Sequence, residues 1–171
     1  MDLEKYIRDI PDFPTKGIIF KDITPLLANP GALDEAVRRL AEPYEGTGVE
    51  CVAAVESRGF IFGAAVARQI GAGFVPIRKP GKLPHETVSK EYSLEYGTDA
   101  VEIHTDAVSP GSKVLMIDDL LATGGTMAAA CELVASLGGR IVGIAFLIEL
   151  GFLNGRAKLA GYDLHTLIRV E

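Results

Sequence analysis

The sequence predicts an α/β fold, a twisted and mainly parallel sheet flanked by helices. Three observations lead there. The runs CVAAV (51–55), VLMI (114–117) and IVGIAFLI (141–148) are continuously apolar, as strands are when both sheet faces are covered. Helix-patterned segments separate them, so the order is strand, helix, strand. The two most polar turns, ESRG (56–59) and DDLLATGGT (118–126), directly follow apolar strands, at the carboxyl ends where such sheets hold ligands.

Taken in order, Leu3, Tyr6, Ile7 and Ile10 share one helical face, and Pro11 closes that segment. Residues 12–25 form a Pro- and Gly-punctuated hook with an apolar centre. A helix is expected over 31–42, with Leu33, Val37 and Leu40 inward, and another over 60–70. FVPI (74–77) reads as a strand and VEIH (101–104) as a weaker one. A helix from Thr126 to Leu137 follows the strand at 114–117. Between strands, residues 79–97 are long, polar and weakly patterned, the profile of a functional lid; residues 91–96 could pair as a ribbon. No repeat or composition break marks a second domain, so one domain over 1–171 is expected.

At 171 residues the chain can bury a sizeable core. Hydrophobic residues make up 48% and charged residues 23%, and 17 Lys and Arg stand against 23 Asp and Glu, a net charge of −6. That balance argues against general nucleic-acid binding but not against a small anion held by local groups. Cys51 and Cys131 are embedded in apolar sequence and read as buried small hydrophobes. The N-terminus lacks an apolar signal core, and no apolar run is long enough for a bilayer; cytoplasm is the expectation. The three histidines, His85, His104 and His165, are scattered and give no metal-ligand spacing. Neither standard glycine-rich nucleotide loop is present.

The stretch VLMIDDLLATGGT (114–126) carries the chemistry. Thr123, Gly124, Gly125 and Thr126 lead into a helix. Glycines let backbone N–H groups turn inward, the helix start adds partial positive charge, and two hydroxyls add donors. The result is a cradle for a phosphomonoester. Asp118 and Asp119 precede it, and a ribose diol could donate to their carboxylates. On spacing alone the alternative is a strand end followed by a helix cap.

This stretch resembles the phosphoribosyl pyrophosphate (PRPP) signature of the type I phosphoribosyltransferases, in the form carried by members that use adenine. FPTKGIIFKDITP (13–25), VESRGFIFG (55–63), RKPGKLP (78–84), YSLEYG (92–97) and ELGFLNGRAKL (149–159) resemble the same enzymes in the same order. Together these segments cover nearly the whole chain. The resemblance implies that fold, with a small N-terminal hood over about 1–30 and a flexible lid over about 80–97.

It also implies a reaction: adenine and PRPP give AMP and pyrophosphate in purine salvage. PRPP would be held by Arg58, Lys79, Lys82, Asp118, Asp119, Ala122, Thr123, Gly124, Gly125 and Thr126. Arg58 would meet the pyrophosphate, beside a non-proline cis peptide at Glu56–Ser57, and Arg78 belongs to the same basic set. Mg2+ would arrive bound chiefly to PRPP. Glu95 is the lid acid expected to orient the base or handle its proton, and is grouped with Asp118, Asp119 and Arg58 as catalytic. Phe20 would cover adenine, and the main chain of Ile19 and Lys21 would read its edge. Lys21 departs from the Arg of many relatives, which a main-chain role tolerates. A homodimer is implied. The alternatives are a PRPP-binding regulatory protein of the same fold and a transferase for another purine base.

Overall fold

The computed structural model describes residues 1–94 and 97–171. A 3-10 turn, Leu3–Tyr6, leads into β1 (Arg8–Pro11), which pairs antiparallel with β2 (Ile19–Asp22). Next come α1 (Thr24–Ala28), α2 (Pro30–Ala41), β3 (Cys51–Val55), α3 (Arg58–Ile70) and β4 (Gly73–Ile77). Antiparallel strands β5 (Thr87–Ser93) and β6 (Thr98–His104) follow. The chain then forms β7 (Lys113–Leu121), α4 (Gly125–Ser136), β8 (Arg140–Leu150) and β9 (Leu164–Val170).

The central sheet has the order β4-β3-β7-β8-β9 and is parallel throughout. After β3 the chain first adds β4 on one side, and later β7 on the other. The carboxyl ends of β3 and β7 therefore flank a topological switch point, where open α/β sheets form a crevice.

Successive residues of a strand face opposite sides, and β7 uses this to bind two cores together. Leu115 and Ile117 enter one cluster with Leu26, Leu40, Phe62 and Leu147. Val114 and Met116 enter the other with Ile77, Val134, Ile144 and Phe146. Helix α2 starts at Pro30, with the Asn29 side chain accepting a hydrogen bond from the N–H of Ala32 at 2.9 Å. Its fully buried positions are Ala32, Ala36, Leu40 and Ala41, while Leu33 and Val37 are half-buried. Cys51 is half-buried and Cys131 buried, and both are free thiols. Burial pushes the Cys131 thiol up to about 12, so it stays protonated and inert.

Two expectations need correction. The N-terminal helix is a single 3-10 turn; from Arg8 the chain is extended, because Arg8 and Asp9 pair across the ribbon with Asp22 and Lys21 at 2.6 and 2.7 Å. Residues 98–104 do not join the main sheet. They pair with β5 as a separate ribbon, bridged by Glu102 to Arg78 just past β4, and pack Val101 and Ile103 onto the sheet core. The sheet also continues past β8 into β9, a mixed polar and apolar edge strand that lacks a continuous apolar run. Among the described residues, no helix is long and apolar enough to cross a membrane.

Phe62 is fully buried between α3 and the sheet. Phe62→Ala is expected to lower unfolding free energy by about 3–5 kcal/mol, measured by urea denaturation.

Candidate active site

The crevice at the switch point holds a cavity of about 290 Å³, lined in part by Glu56, Arg58, Lys79, Tyr92, Asp118 and Thr126. Strand β3 ends at Val55 and α3 begins at Arg58, with the cis Glu56–Ser57 peptide between them. Strand β7 runs four residues further than its apolar pattern shows, so both aspartates lie on the strand and not in a turn. Arg58 Nε donates to Asp119 Oδ2 at 2.5 Å. Asp119 is buried; Asp118 is half-buried and accepts from the N–H of Asp119 at 2.8 Å.

Helix α3 can approach this closely because two of its positions lack side chains. A Cβ on Gly63 would lie 2.6 Å from that of Ala54, and one on Gly59 would lie 2.7 Å from Oδ1 of Asp118. A side chain at Gly63 would push the helix off β3, and one at Gly59 would displace the Asp118 carboxylate.

Next to the acids, residues 120–127 line a smaller cavity of about 90 Å³ with Asp118 and Phe146. Ala122, Thr123, Gly124, Gly125 and Thr126 are all in it, at the start of α4. Gly124 has φ +82°, and a Cβ there would meet the carbonyl oxygen of Gly155 at 2.5 Å. Gly155 in turn leaves no room for a Cβ against the Ala122 carbonyl oxygen, 2.3 Å away. The 149–159 segment thus braces the loop from behind. It is pinned by Arg156, whose Nε and Nη2 donate to the buried Glu149 carboxylate at 2.6 and 2.8 Å.

The β1–β2 ribbon meets the same crevice at Arg58. The Arg58 guanidinium carbon lies 5.4 Å from the Phe20 ring centroid, and the Phe13 ring meets Phe20 edge-on. Ile19 and Lys21 line an adjoining cleft of about 600 Å³ with Thr123, Leu150, Phe152 and Leu153. Lys21 Nζ donates to Asp9 Oδ1 at 2.7 Å, so its ammonium is paired within the β1–β2 ribbon.

Arg58, Lys79, the acid pair and the cradle are therefore brought together, with Phe20 beside Arg58. Lys82 is not: its side chain is exposed, and its carbonyl accepts from Arg78. Glu95 lies outside the described residues. Among the described residues no three His, Cys, Asp or Glu side chains are grouped to hold a metal ion.

A phosphoribosyl transferase domain model matches residues 23–164. The adenine phosphoribosyltransferase of Thermobifida fusca is 57% identical over 168 residues, 98% of this chain and 96% of that protein. The crystal structure of adenine phosphoribosyltransferase from Thermoanaerobacter pseudethanolicus superposes with a TM-score of 0.96 at 56% identity, covering 99% of this chain and 98% of that one. The Saccharomyces cerevisiae enzyme, solved with an imino-altritol bisphosphate and adenine, gives 0.91 at 40% identity, covering 96% of each chain. This chain belongs to the adenine phosphoribosyltransferases.

In an adenine phosphoribosyltransferase of this sequence, the polar lining of the crevice is unevenly charged. Burial first, and then the Asp119 carboxylate beside it, raise Asp118 well above the ordinary carboxylate range. Burial also works against ionised Glu56, but the Lys79 N–H and the Arg78 guanidinium outweigh it and hold that carboxyl below its usual value. Glu56 accepts from both, at 2.8 Å each, and so clamps the start of the 78–84 loop.

Sequence reasoning passed over Glu56 as a clamp, Tyr92 as cavity lining, and the Glu149–Arg156 pair. The only signal was position: Glu56 directly follows an apolar strand, and Arg156 sits in the quoted 149–159 segment. Their partners are distant in sequence or lie in loops, and no periodicity reports such contacts.

A raised Asp118 means that the native chain binds more protons than the unfolded chain above the ordinary carboxylate range, so stability falls as pH rises through that window. Asp118→Asn removes this penalty. It is expected to unfold at higher urea than the parent near about pH 7, with the difference vanishing as pH falls below the ordinary carboxylate pKa, where Asp118 is neutral in both states.

Proposed function

We propose that this chain transfers the 5-phosphoribosyl group of PRPP to adenine, giving AMP and pyrophosphate in purine salvage. The observation that carries this reading is the convergence, at one switch point, of an acid pair, a glycine–threonine cradle and an arginine lying over an aromatic ring. A phosphate, a sugar diol, a second anion and a flat base need these four groups side by side.

The cradle of Ala122 to Thr126 takes the 5′-phosphate through backbone N–H groups, the α4 start and the threonine hydroxyls. Asp118 and Asp119 accept from the ribose hydroxyls. Cleavage at ribose C1 leaves positive character on the sugar, as in glycosyl transfer generally. The negative field of the acid pair favours that charge. Arg58 and Lys79, with Lys82 reaching in only if its loop moves, take the leaving pyrophosphate. In doing so, Arg58 exchanges or shares its contact with Asp119.

The hard oxygen donors of Asp118 and Asp119 suit Mg2+, which prefers oxygen and keeps several waters. Mg2+ carried on PRPP would neutralise the departing pyrophosphate. Adenine would lie on Phe20, with the Ile19 and Lys21 main chain reading its edge; a fixed N–H and C=O pair rejects a base whose polar groups would be left unpaired. Glu95, from the lid, is assigned to the base and its proton. A homodimer belongs to this reading, and the exposed Ile61 and Phe74 at 40% and 37% offer apolar surface for one.

Pyrophosphate release from PRPP and Mg2+ with adenine, hypoxanthine, guanine or xanthine tests the proposal. Turnover with adenine alone is expected; none with any base refutes the enzyme, and turnover with guanine but not adenine refutes the base assignment. Asp118→Asn with Asp119→Asn is expected to lower kcat by at least about a hundredfold, the scale of a lost transition-state electrostatic contact, with circular dichroism unchanged. Undiminished PRPP affinity in that variant would contradict the ribose assignment. Glu95→Ala should lower kcat, and wild-type turnover would return Glu95 to the status of a solvated lid charge.

A further inference from the structure

We propose that Asp99 is a positioning residue for PRPP, acting through Lys79: from the root of the lid it holds the Lys79 ammonium at the pyrophosphate end of the cavity. The proposal rests on reading that cavity as the PRPP site.

Lys79 is fixed at both ends. Its backbone N–H donates to Glu56 Oε1 at 2.8 Å, which anchors the residue just past β4. Its ammonium donates to Asp99 Oδ2 and, at 3.0 Å, to the Tyr92 hydroxyl. Asp99 is itself held, because its other oxygen accepts from the Ala100 N–H at 2.8 Å while Oδ2 also accepts from the Tyr92 hydroxyl at 3.2 Å. Tyr92 and Asp99 are cross-strand partners in the β5–β6 ribbon, where facing side chains sit close enough to act as one unit.

The same tyrosine reaches the other phosphate site. A Cβ on Gly125 would lie 3.5 Å from Cδ2 of Tyr92, so the ring covers the second glycine of the cradle. One lid-root pair thereby touches both ends of the proposed substrate, ring to cradle and hydroxyl to Lys79.

The contact has little else to contribute. The Lys79 and Asp99 side chains are 38% and 33% exposed, and ion pairs as open as this add little to stability. What such a contact can supply is orientation. A free lysine carries about 2 kcal/mol of rotamer entropy, and ordering it before the ligand arrives removes that cost from binding. An ammonium has three donors; Asp99 and Tyr92 take two, and the third remains for a phosphate oxygen. Burial opposes the Lys79 charge, yet the bonds to Asp99 and Tyr92 outweigh it and raise Lys79 above its usual range. The Lys79 contact, foremost, lowers Asp99. Both groups stay charged at neutral pH.

The test compares wild type, Asp99→Ala, Asp99→Glu, Lys79→Met and the Asp99→Ala/Lys79→Met double variant. Kinetics give KM for PRPP and adenine, calorimetry gives Kd for pyrophosphate with Mg2+, and thermal unfolding gives Tm. Asp99→Ala is expected to raise KM for PRPP and Kd for pyrophosphate about tenfold, equivalent to about 1.4 kcal/mol, with KM for adenine and Tm unchanged. Asp99→Glu should recover part of the loss, and Asp99→Ala should have no further effect in the Lys79→Met background. Wild-type or tighter pyrophosphate binding by Asp99→Ala overturns the proposal, as does an undiminished Asp99 effect without Lys79. The controls separate the two readings: a wild type that does not bind PRPP refutes the cavity assignment itself, whereas a Lys79→Met variant that binds PRPP normally refutes the role of Lys79 and that of Asp99 with it.

Discussion

Two neighbouring carboxylates at the end of one buried strand repel each other, and the surrounding structure is built to tolerate them. Arg58 supplies the opposing charge, bonded to Asp119 at 2.5 Å from the first residue of α3. The helix can deliver it only because Gly59 and Gly63 let α3 lie against β3 and β7. Asp118 receives no such partner among the bonds described; it accepts only the Asp119 N–H, and burial beside Asp119 raises its pKa. Holding a carboxyl group where its charge is disfavoured costs stability, a feature common at functional centres.

From that pair the rest of the site follows in space. The acids sit on β7, next to β3 at the point where the strand order reverses. The cradle comes immediately after them in the chain, and Gly155 braces it from behind through a contact that excludes any side chain. The Glu149–Arg156 pair holds Gly155 there. A short polar motif is thus supported by a segment about thirty residues downstream in the same fold, which is how rigid scaffolds give loops a precise geometry.

The β5–β6 ribbon enters this arrangement through two cross-strand partners. Strands β5 and β6 stand apart from the main sheet, yet Tyr92 and Asp99 reach the cradle glycine and Lys79. Glu56 holds the other end of Lys79. These polar groups therefore belong to one connected set of contacts, from the end of β3 through the 78–79 segment to the ribbon.

The α/β class, the three central apolar strands, their alternation with helices and a glycine–threonine loop between a strand and a helix are legible in the sequence; that DDLL continues the strand is not. The legible features are local or periodic signals: a strand buried on both faces must be apolar throughout, and a phosphate loop needs small residues before a helix. The tertiary structure alone decided that residues 98–104 leave the main sheet, that β9 extends it, and that residues 8–11 are extended. Each outcome depends on a partner strand elsewhere in the chain. It also decided that Lys79, Tyr92 and Asp99 meet while Lys82 points to solvent, although both lysines flank the same Pro–Gly turn. Sequence specifies which side chains can bond; which of them do is set by strand register and helix approach, and those come only from the packed whole.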